Sequence, residues 1–221
     1  MKPIIFCDFD GTITETDNIV SLMMHFVPEQ SEKIAKAMMA QTISFKDGIT
    51  AMFELLSTNQ KDEIIQYLLE TAVIREGFRE FVHYAQEHNI PFYIVSGGVD
   101  FFIQPMLEKF GPFSGIYCNS ADFSGEQITI VYSNSCDAQC AKFTTQSCGC
   151  CKPTVMRKVA QPDHFKIVIG DSISDFEAAK QADLVLAREQ LIDHCKDLQV
   201  PYEPFNTFYD CLETVKKLIE V

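Results

Sequence analysis

The sequence predicts an α/β protein, a parallel sheet with helices on both faces, interrupted by one purely helical segment. Three observations carry this reading. Short apolar runs at Ile4–Cys7, Pro91–Val95 and Phe165–Ile169 each stop abruptly at polar residues, as strands buried on both faces do. After residue 74, such runs alternate with segments of helical spacing. Between residues 15 and 74 no convincing strand occurs.

Taken in order, the first run ends in Asp8-Phe9-Asp10-Gly11-Thr12. Positions i and i+2 of a strand share a side, so Asp8 and Asp10 can serve one site. Asp-Gly is also an ordinary turn dipeptide. Residues 15–74 read as three or four helices. Val20, Met23, Met24 and Val27 lie at helical spacing, as do Ile49, Met52, Phe53 and Leu56. Ser44 with Asp47, and Asn59 with Asp62, have the pattern of helix starts. Five of the eight methionines fall here, and most are expected in the core.

Arg75 to His88 has helical spacing at Phe78, Phe81, Val82 and Ala85. A strand at 91–95 follows, then a helix with Phe102, Pro105 and Leu107, then a strand near Ile116-Tyr117-Cys118. Ile128–Tyr132 alternates like a hairpin strand after the turn at Ser124-Gly125. Strands at 165–169 and 183–187 flank a helix, and Thr207 to Glu220 reads as a closing amphipathic helix.

Composition bounds the function. At 221 residues, 47% apolar, the chain can bury one main domain plus an insertion. No apolar run approaches the ~20 residues of a membrane span, and no signal-peptide stretch follows Lys2-Pro3. A formal charge of −13 disfavours nucleic acid and anionic membranes as partners. Nine cysteines, an odd count, suggest reduced thiols and a cytoplasmic location. Oligomeric state is not legible. The five histidines show no ligand spacing.

Four motifs in order resemble those of the haloacid dehalogenase superfamily: Asp8-Phe9-Asp10-Gly11-Thr12, Ser96-Gly97-Gly98 after the second strand, Lys152-Pro153 opening a helix, and Gly170-Asp171-Ser172-Ile173-Ser174-Asp175 after the third. The resemblance implies a Rossmann-like catalytic core, residues 1–14 and 75–221, with a helical cap at 15–74 and a hairpin with a cysteine-rich loop at 115–151. It implies a phosphatase in which Asp8 is the nucleophile and Asp10 the general acid and base. A halide leaving group needs no proton, so Asp10 argues against the dehalogenase branch. Lys152 would neutralise charge, while Ser96, Gly97 and Gly11 would hold the phosphoryl group. Magnesium would be held by Asp8, Asp171 and the Asp10 carbonyl. Asp175 is either a further contributor to that site or a plain helix-start carboxylate.

The expected partner is a small phosphorylated metabolite enclosed by the cap. The cap also resembles that of the phosphoserine branch, which grips a carboxylate with an arginine. Residues 15–74 contain no arginine, which argues for a substrate without a carboxylate, with Arg75 as the loophole. The segments 74–81, 90–98 and 148–153 resemble a branch acting on an enol phosphate with a methylthio tail in methionine salvage. Phosphoethanolamine, phosphocholine and pyridoxal phosphate phosphatases also share the core and a cysteine-rich stretch. Cys136, Cys140, Cys148, Cys150 and Cys151 offer zinc spacing, with one of the adjacent pair spare. Reduced thiols and an oxidation disulfide are the competing readings. A metal-binding interaction module on an inactive phosphatase is disfavoured by the retained Asp8, Asp10, Lys152 and Asp171.

Overall fold

A computed structural model describes residues 1–40, 42–140 and 148–219. Seven strands form one sheet in the order β4-β3-β2-β1-β5-β6-β7. They are β1 (Lys2–Cys7), β2 (Phe92–Val99), β3 (Gly115–Asp122), β4 (Thr129–Val131), β5 (His164–Gly170), β6 (Leu184–Ala187) and β7 (Tyr202–Pro204). All neighbours pair in parallel except β3 and β4, which form the expected hairpin. β1 lies at the centre, and Ile4, Ile5, Phe6 and Cys7 are all buried, as a strand covered on both faces requires. The chain leaves β1 toward β2 on one side and β5 on the other. This is the switch point outside whose carboxyl edge open α/β sheets bind ligands.

The helices are α1 (Asn18–Phe26), α2 (Pro28–Met39), α3 (Phe45–Phe53), α4 (Lys61–Thr71), α5 (Phe78–Glu87), α6 (Asp100–Leu107), α7 (Lys152–Val159), α8 (Phe176–Ala179), α9 (Glu189–Leu198) and α10 (Phe208–Ile219). α5 and α10 pack together through phenylalanines: the Phe78 ring lies 5.0 Å from Phe208, 5.2 Å from Phe110 and 6.3 Å from Phe92. Deleting such a ring typically costs about 3–5 kcal/mol, so this cluster anchors the face of the sheet opposite α7.

Between residues 15 and 74 the chain is helical, as expected. Its two connections to the rest run side by side, bridged at Thr14 and Ile74, with Glu15 N donating to Val73 O at 2.9 Å. It is tied to the hairpin by backbone bonds: Thr58 N to Glu126 O and Ile128 N to Leu56 O, each 3.0 Å. Tyr132 OH adds a bond to Lys46 O at 3.0 Å.

Several expectations shift. The Ser44 cap is present, its hydroxyl accepting from Asp47 N. The second start differs: Ser57, not Asn59, is the cap, its hydroxyl accepting from Asn59 N in a capping box with Gln60, and the 3-10 turn it opens runs directly into α4, which has no side-chain cap of its own. α1 buries Asn18, Ile19, Leu22 and Met23, while Val20 and Met24 are exposed. The face rotates because Asn18 is drawn inward to the site. Met39 is exposed as well, so the methionines are less uniformly core than their spacing suggests. β3 and α10 broadly match their expected positions, with Glu220 outside the described residues. The expectations did not include α9 and β7.

Candidate active site

Asp8 and Asp171 lie just past the carboxyl ends of β1 and β5, whereas β2 does not stop at Val95 as expected but runs on to Val99, so Ser96 and Gly97 lie within it, at a break in its register with β3. β1 stops at Cys7, so Asp8 and Asp10 lie beyond the strand rather than alternating along it. Asp8 N still donates to Ile169 O at 2.9 Å, fixing the nucleophile candidate to the edge of β5. Asp8 is buried; its Oδ1 accepts from Phe9 N at 2.7 Å, and its Oδ2 lies 2.6 Å from Lys152 Nζ. Burial raises its pKa, as does the nearby Asp175 charge, while Lys152 opposes the rise.

Lys152, the first residue of α7, is itself buried and sits 2.6 Å from both Asp8 Oδ2 and Asp175 Oδ1. Burial alone would lower its pKa, but the Asp175 and Asp8 carboxylates overcome this and raise it, so the ammonium stays charged. Removing the lysine alone would strand two buried carboxylates, which typically costs about 3–5 kcal/mol. Asp175 is the clearest refinement of the sequence reading. Its Oδ1 is held by Lys152, and its Oδ2 accepts from Asp171 N and Ser172 N at 3.1 and 3.2 Å. It is thus engaged in orienting its neighbours, and is more than a helix-start charge.

Asp171 follows β5, and its Oδ1 accepts from Thr12 Oγ1 at 2.8 Å. Burial, then Asp175, pushes its pKa up to about 6. Carboxylate oxygens of Asp8, Asp171 and Asp175 gather within 4.8 Å of one another. Such hard, acceptor-only donors suit an oxygen-preferring divalent cation, whose charge would offset the repulsion that raises these pKa values. Gly11 holds a backbone φ of +77°, and a Cβ there would lie 2.6 Å from Asp171 Oδ2. Its N–H donates to Thr16 O at 3.3 Å. Its contribution is to let the first loop approach Asp171.

Asp10 Oδ1 accepts from Asn18 N and Nδ2 at 3.1 and 2.7 Å, and its Oδ2 lies 3.5 Å from Ser96 Oγ. Burial and the charge of Asp17 push its pKa up to about 7, against the pull of the Asn18 bonds. Ser96, buried in β2, accepts from Gly98 N at 2.9 Å. A Cβ at Gly97 would meet nothing within 4 Å, so its backbone faces open space beside Ser96. A Cβ at Gly98 would instead lie 2.6 Å from Asp10 Oδ2, and only glycine permits that approach.

Four contributors were not expected. Thr12 and Asn18 hold Asp171 and Asp10, and Ser174 Oγ donates to Asp8 Oδ2 at 3.3 Å. Arg75 is buried and spends its guanidinium on carbonyls: Gly11 O at 3.0 Å, Thr12 O at 2.8 Å, Thr14 O at 3.2 Å and Asn206 O at 3.4 Å. It braces the first loop instead of gripping a substrate.

The cysteines divide. The Cys140 and Cys151 sulfurs are 3.4 Å apart, and those of Cys136, Cys140 and Cys151 lie within 4.8 Å of one another. Cys148 makes side-chain hydrogen bonds to Cys136 and Cys151. Cys150 points away, toward Tyr117 O, and packs with Ile4, Phe6 and Val95.

No helix among the described residues is long and apolar enough to cross a membrane. The chain is 76% identical over 220 residues to the 2-hydroxy-3-keto-5-methylthiopentenyl-1-phosphate phosphatase of Lysinibacillus sphaericus (strain C3-41), covering 100% of this chain and 96% of that one. It is 48% identical over 215 residues to the enzyme of the same name from Geobacillus thermodenitrificans (strain NG80-2), covering 97% and 96%. Among solved structures, a substrate-bound phosphoserine phosphatase complex superposes with a TM-score of 0.72 at 18% identity, covering 97% of this chain and 98% of that one. The sequence model of the haloacid dehalogenase-like hydrolases matches residues 5–180. With the motif groups converging at the carboxyl edge of β1, β2 and β5, the chain belongs to the haloacid dehalogenase-like hydrolases.

Proposed function

We propose that this chain is a magnesium-dependent phosphomonoesterase that dephosphorylates 2-hydroxy-3-keto-5-methylthiopentenyl-1-phosphate through an aspartyl phosphate. The observation that carries the chemistry is the pairing of buried Asp8 with Lys152, beside an Asp10 whose pKa is pushed up to about 7. In the first step an Asp8 oxygen forms a bond to phosphorus and the ester P–O bond breaks. Asp10 gives its proton to the departing oxygen. In the second step Asp10, now a carboxylate, takes a proton from water as the water oxygen attacks phosphorus and the aspartyl P–O bond breaks. Ser96 and the Gly97 amide hold the phosphoryl oxygens, and Lys152 offsets the charge on Asp8. Asp8, Asp171 and the Asp10 carbonyl would hold magnesium, which when bound neutralises negative charge on the phosphoryl group.

Helices α1–α4 act as the cap over this edge, and the choice of substrate rests on what they lack. Residues 15–74 contain no arginine, and Arg75 is committed to backbone carbonyls. A substrate carboxylate would therefore lack the two-pronged arginine partner, whereas a methylthio tail needs none. The relatives 76% and 48% identical carry the same substrate in their names. The test is a kcat/KM comparison against phosphoserine, phosphoethanolamine and pyridoxal phosphate, with magnesium and with EDTA. The methylthio enol phosphate should lead phosphoserine by about 100-fold or more. Comparable constants would overturn the substrate, and undiminished turnover in EDTA would overturn the metal.

A further inference from the structure

The cysteine cluster contributes no group to the phosphoryl chemistry described above, yet Cys151 directly precedes Lys152 in the chain. Its ligand spacing is Cys136-x3-Cys140 and Cys148-x2-Cys151, two pairs within the range that thiolate metal sites use. The pairs meet in space. Cys140 and Cys151 stand 3.4 Å apart, the sulfurs of Cys136, Cys140 and Cys151 all lie within 4.8 Å of one another, and Cys148, outside that tight group, lies beside Cys136 and Cys151 where it would complete the set. A tetrahedral zinc with Zn–S bonds of about 2.3 Å places its sulfurs about 3.8 Å apart, close to the spacing of Cys136, Cys140 and Cys151, whereas a disulfide needs about 2.0 Å; Cys148 has to move inward to join them.

The surroundings are built rather than incidental. Asp137 Oδ1 accepts from Gln139 N and Cys140 N at 3.1 and 2.8 Å, curling the chain so that both sulfurs of the first pair turn inward. The same carboxylate takes a two-pronged bond from Arg157 of α7, at 2.8 and 2.7 Å. Thr154 Oγ1 donates to the Cys151 sulfur at 3.1 Å. These donors supply what a doubly negative zinc tetrathiolate requires from its surroundings. Cys151 N donates to Asn134 O at 2.8 Å, so both cysteine pairs are fastened to the start of α7.

We propose that Cys136, Cys140, Cys148 and Cys151 form a closed structural zinc site whose role is to fix the first turn of α7, and with it Lys152. Binding converts four thiols to thiolates and releases their protons to solvent. Cys150 takes no part, its side chain lying in the apolar layer beneath.

The deciding measurement is elemental analysis of the full chain, produced with zinc in the medium and purified without chelator. About one zinc per chain is expected, released as an organomercurial reagent modifies the four thiols. Cobalt added to the reduced, zinc-stripped protein should give the intense visible absorption of a tetrahedral thiolate site. Cys136→Ser and Cys148→Ser should each lower zinc below about a tenth per chain, while Cys150→Ser retains it. If the serine variants do not fold, the native protein still decides. Less than about a tenth of a zinc per chain, with no tetrahedral cobalt spectrum, overturns the proposal whatever the activity.

Discussion

On one side of Lys152 stand the oxygens of Asp8, Asp171 and Asp175; on the other, beginning at the adjacent residue, stand the sulfurs of Cys151 and its three companions. The two clusters are assembled differently. The oxygen donors come from opposite parts of the chain and meet only because β1 and β5 are neighbours. The sulfur donors are close in sequence, at 136, 140, 148 and 151, with Asp137 turning the first pair by accepting from Cys140 N. Oxygen donors at a sheet edge suit an exchangeable cation that shares its ligands with substrate. A set of four sulfurs leaves no position open, and serves to hold a loop. The difference teaches that the reacting groups draw their precision from the rigid sheet. The lysine, arriving on a helix after a long loop, needs a clamp of its own.

The largest effect expected from separating the two clusters is Asp8→Asn. Turnover should fall below detection in a phosphate-release assay, while the zinc content and the thermal transition remain near those of the parent. Asn keeps the shape and removes the attacking charge, which makes it a cleaner test than removing Lys152 and stranding two carboxylates. Residual activity at the parental level would break the comparison by showing that the oxygen cluster is not the reaction site.

Asp10 comes next. Asp10→Asn should slow turnover about 100-fold or more, with both the ester-cleaving and the water-attacking half-reactions affected in single-turnover measurements. The protonated form is the acid, so the ester-cleaving rate should decline as pH rises through about 7. Asp17, the N-cap of α1, helps to raise that pKa by its negative charge. Asp17→Asn keeps the cap, since Asn caps as well as Asp, and should move the alkaline decline to lower pH. An unmoved profile would remove Asp17 from the account.

The smallest effect belongs to the sulfur side. Arg157→Ala frees Asp137 and should quicken zinc loss to a competing chelator, by about fivefold or less for a partly exposed pair. kcat should be unchanged at saturating zinc. A large loss of kcat at full zinc occupancy would show that α7 is set by Arg157 itself and not by the metal.

Much of this was legible in sequence, for a physical reason. A buried parallel strand is a short apolar run, and a catalytic group at its edge is the polar residue that ends it. Asp8, Asp171 and Ser96 were therefore visible one segment at a time, whereas Lys152, which opens a helix, was legible only through the order of the four motifs. Thr12 and Ser174 were not, because they bond carboxylates 159 and 166 residues away, and Asn18 was missed because its bond to Asp10 runs across a loop, where no periodic pattern marks a partner. Val20 and Met24 were misassigned to the buried face because the inward pull of Asn18 is a tertiary effect. β7, a three-residue edge strand beginning after Pro201, has too little length to leave a pattern. α9 could have been found, since Leu191 and Cys195 are one helical turn apart and both buried.

The brace at Arg75 also sets an order in time. Arg75 joins the first loop to Asn206 across 131 residues, Thr12 meets Asp171 across 159, and Ser174 meets Asp8 across 166. During synthesis the nucleophile therefore leaves the ribosome long before any of the partners that make its burial tolerable. Contacts of such sequence separation form slowly, because loop closure is paid before they are gained. A nascent chain thus carries the full first motif without a working site. Catalytic competence arrives in one late step, when β5 docks beside β1 and the segment bearing Asn206 closes over the arginine.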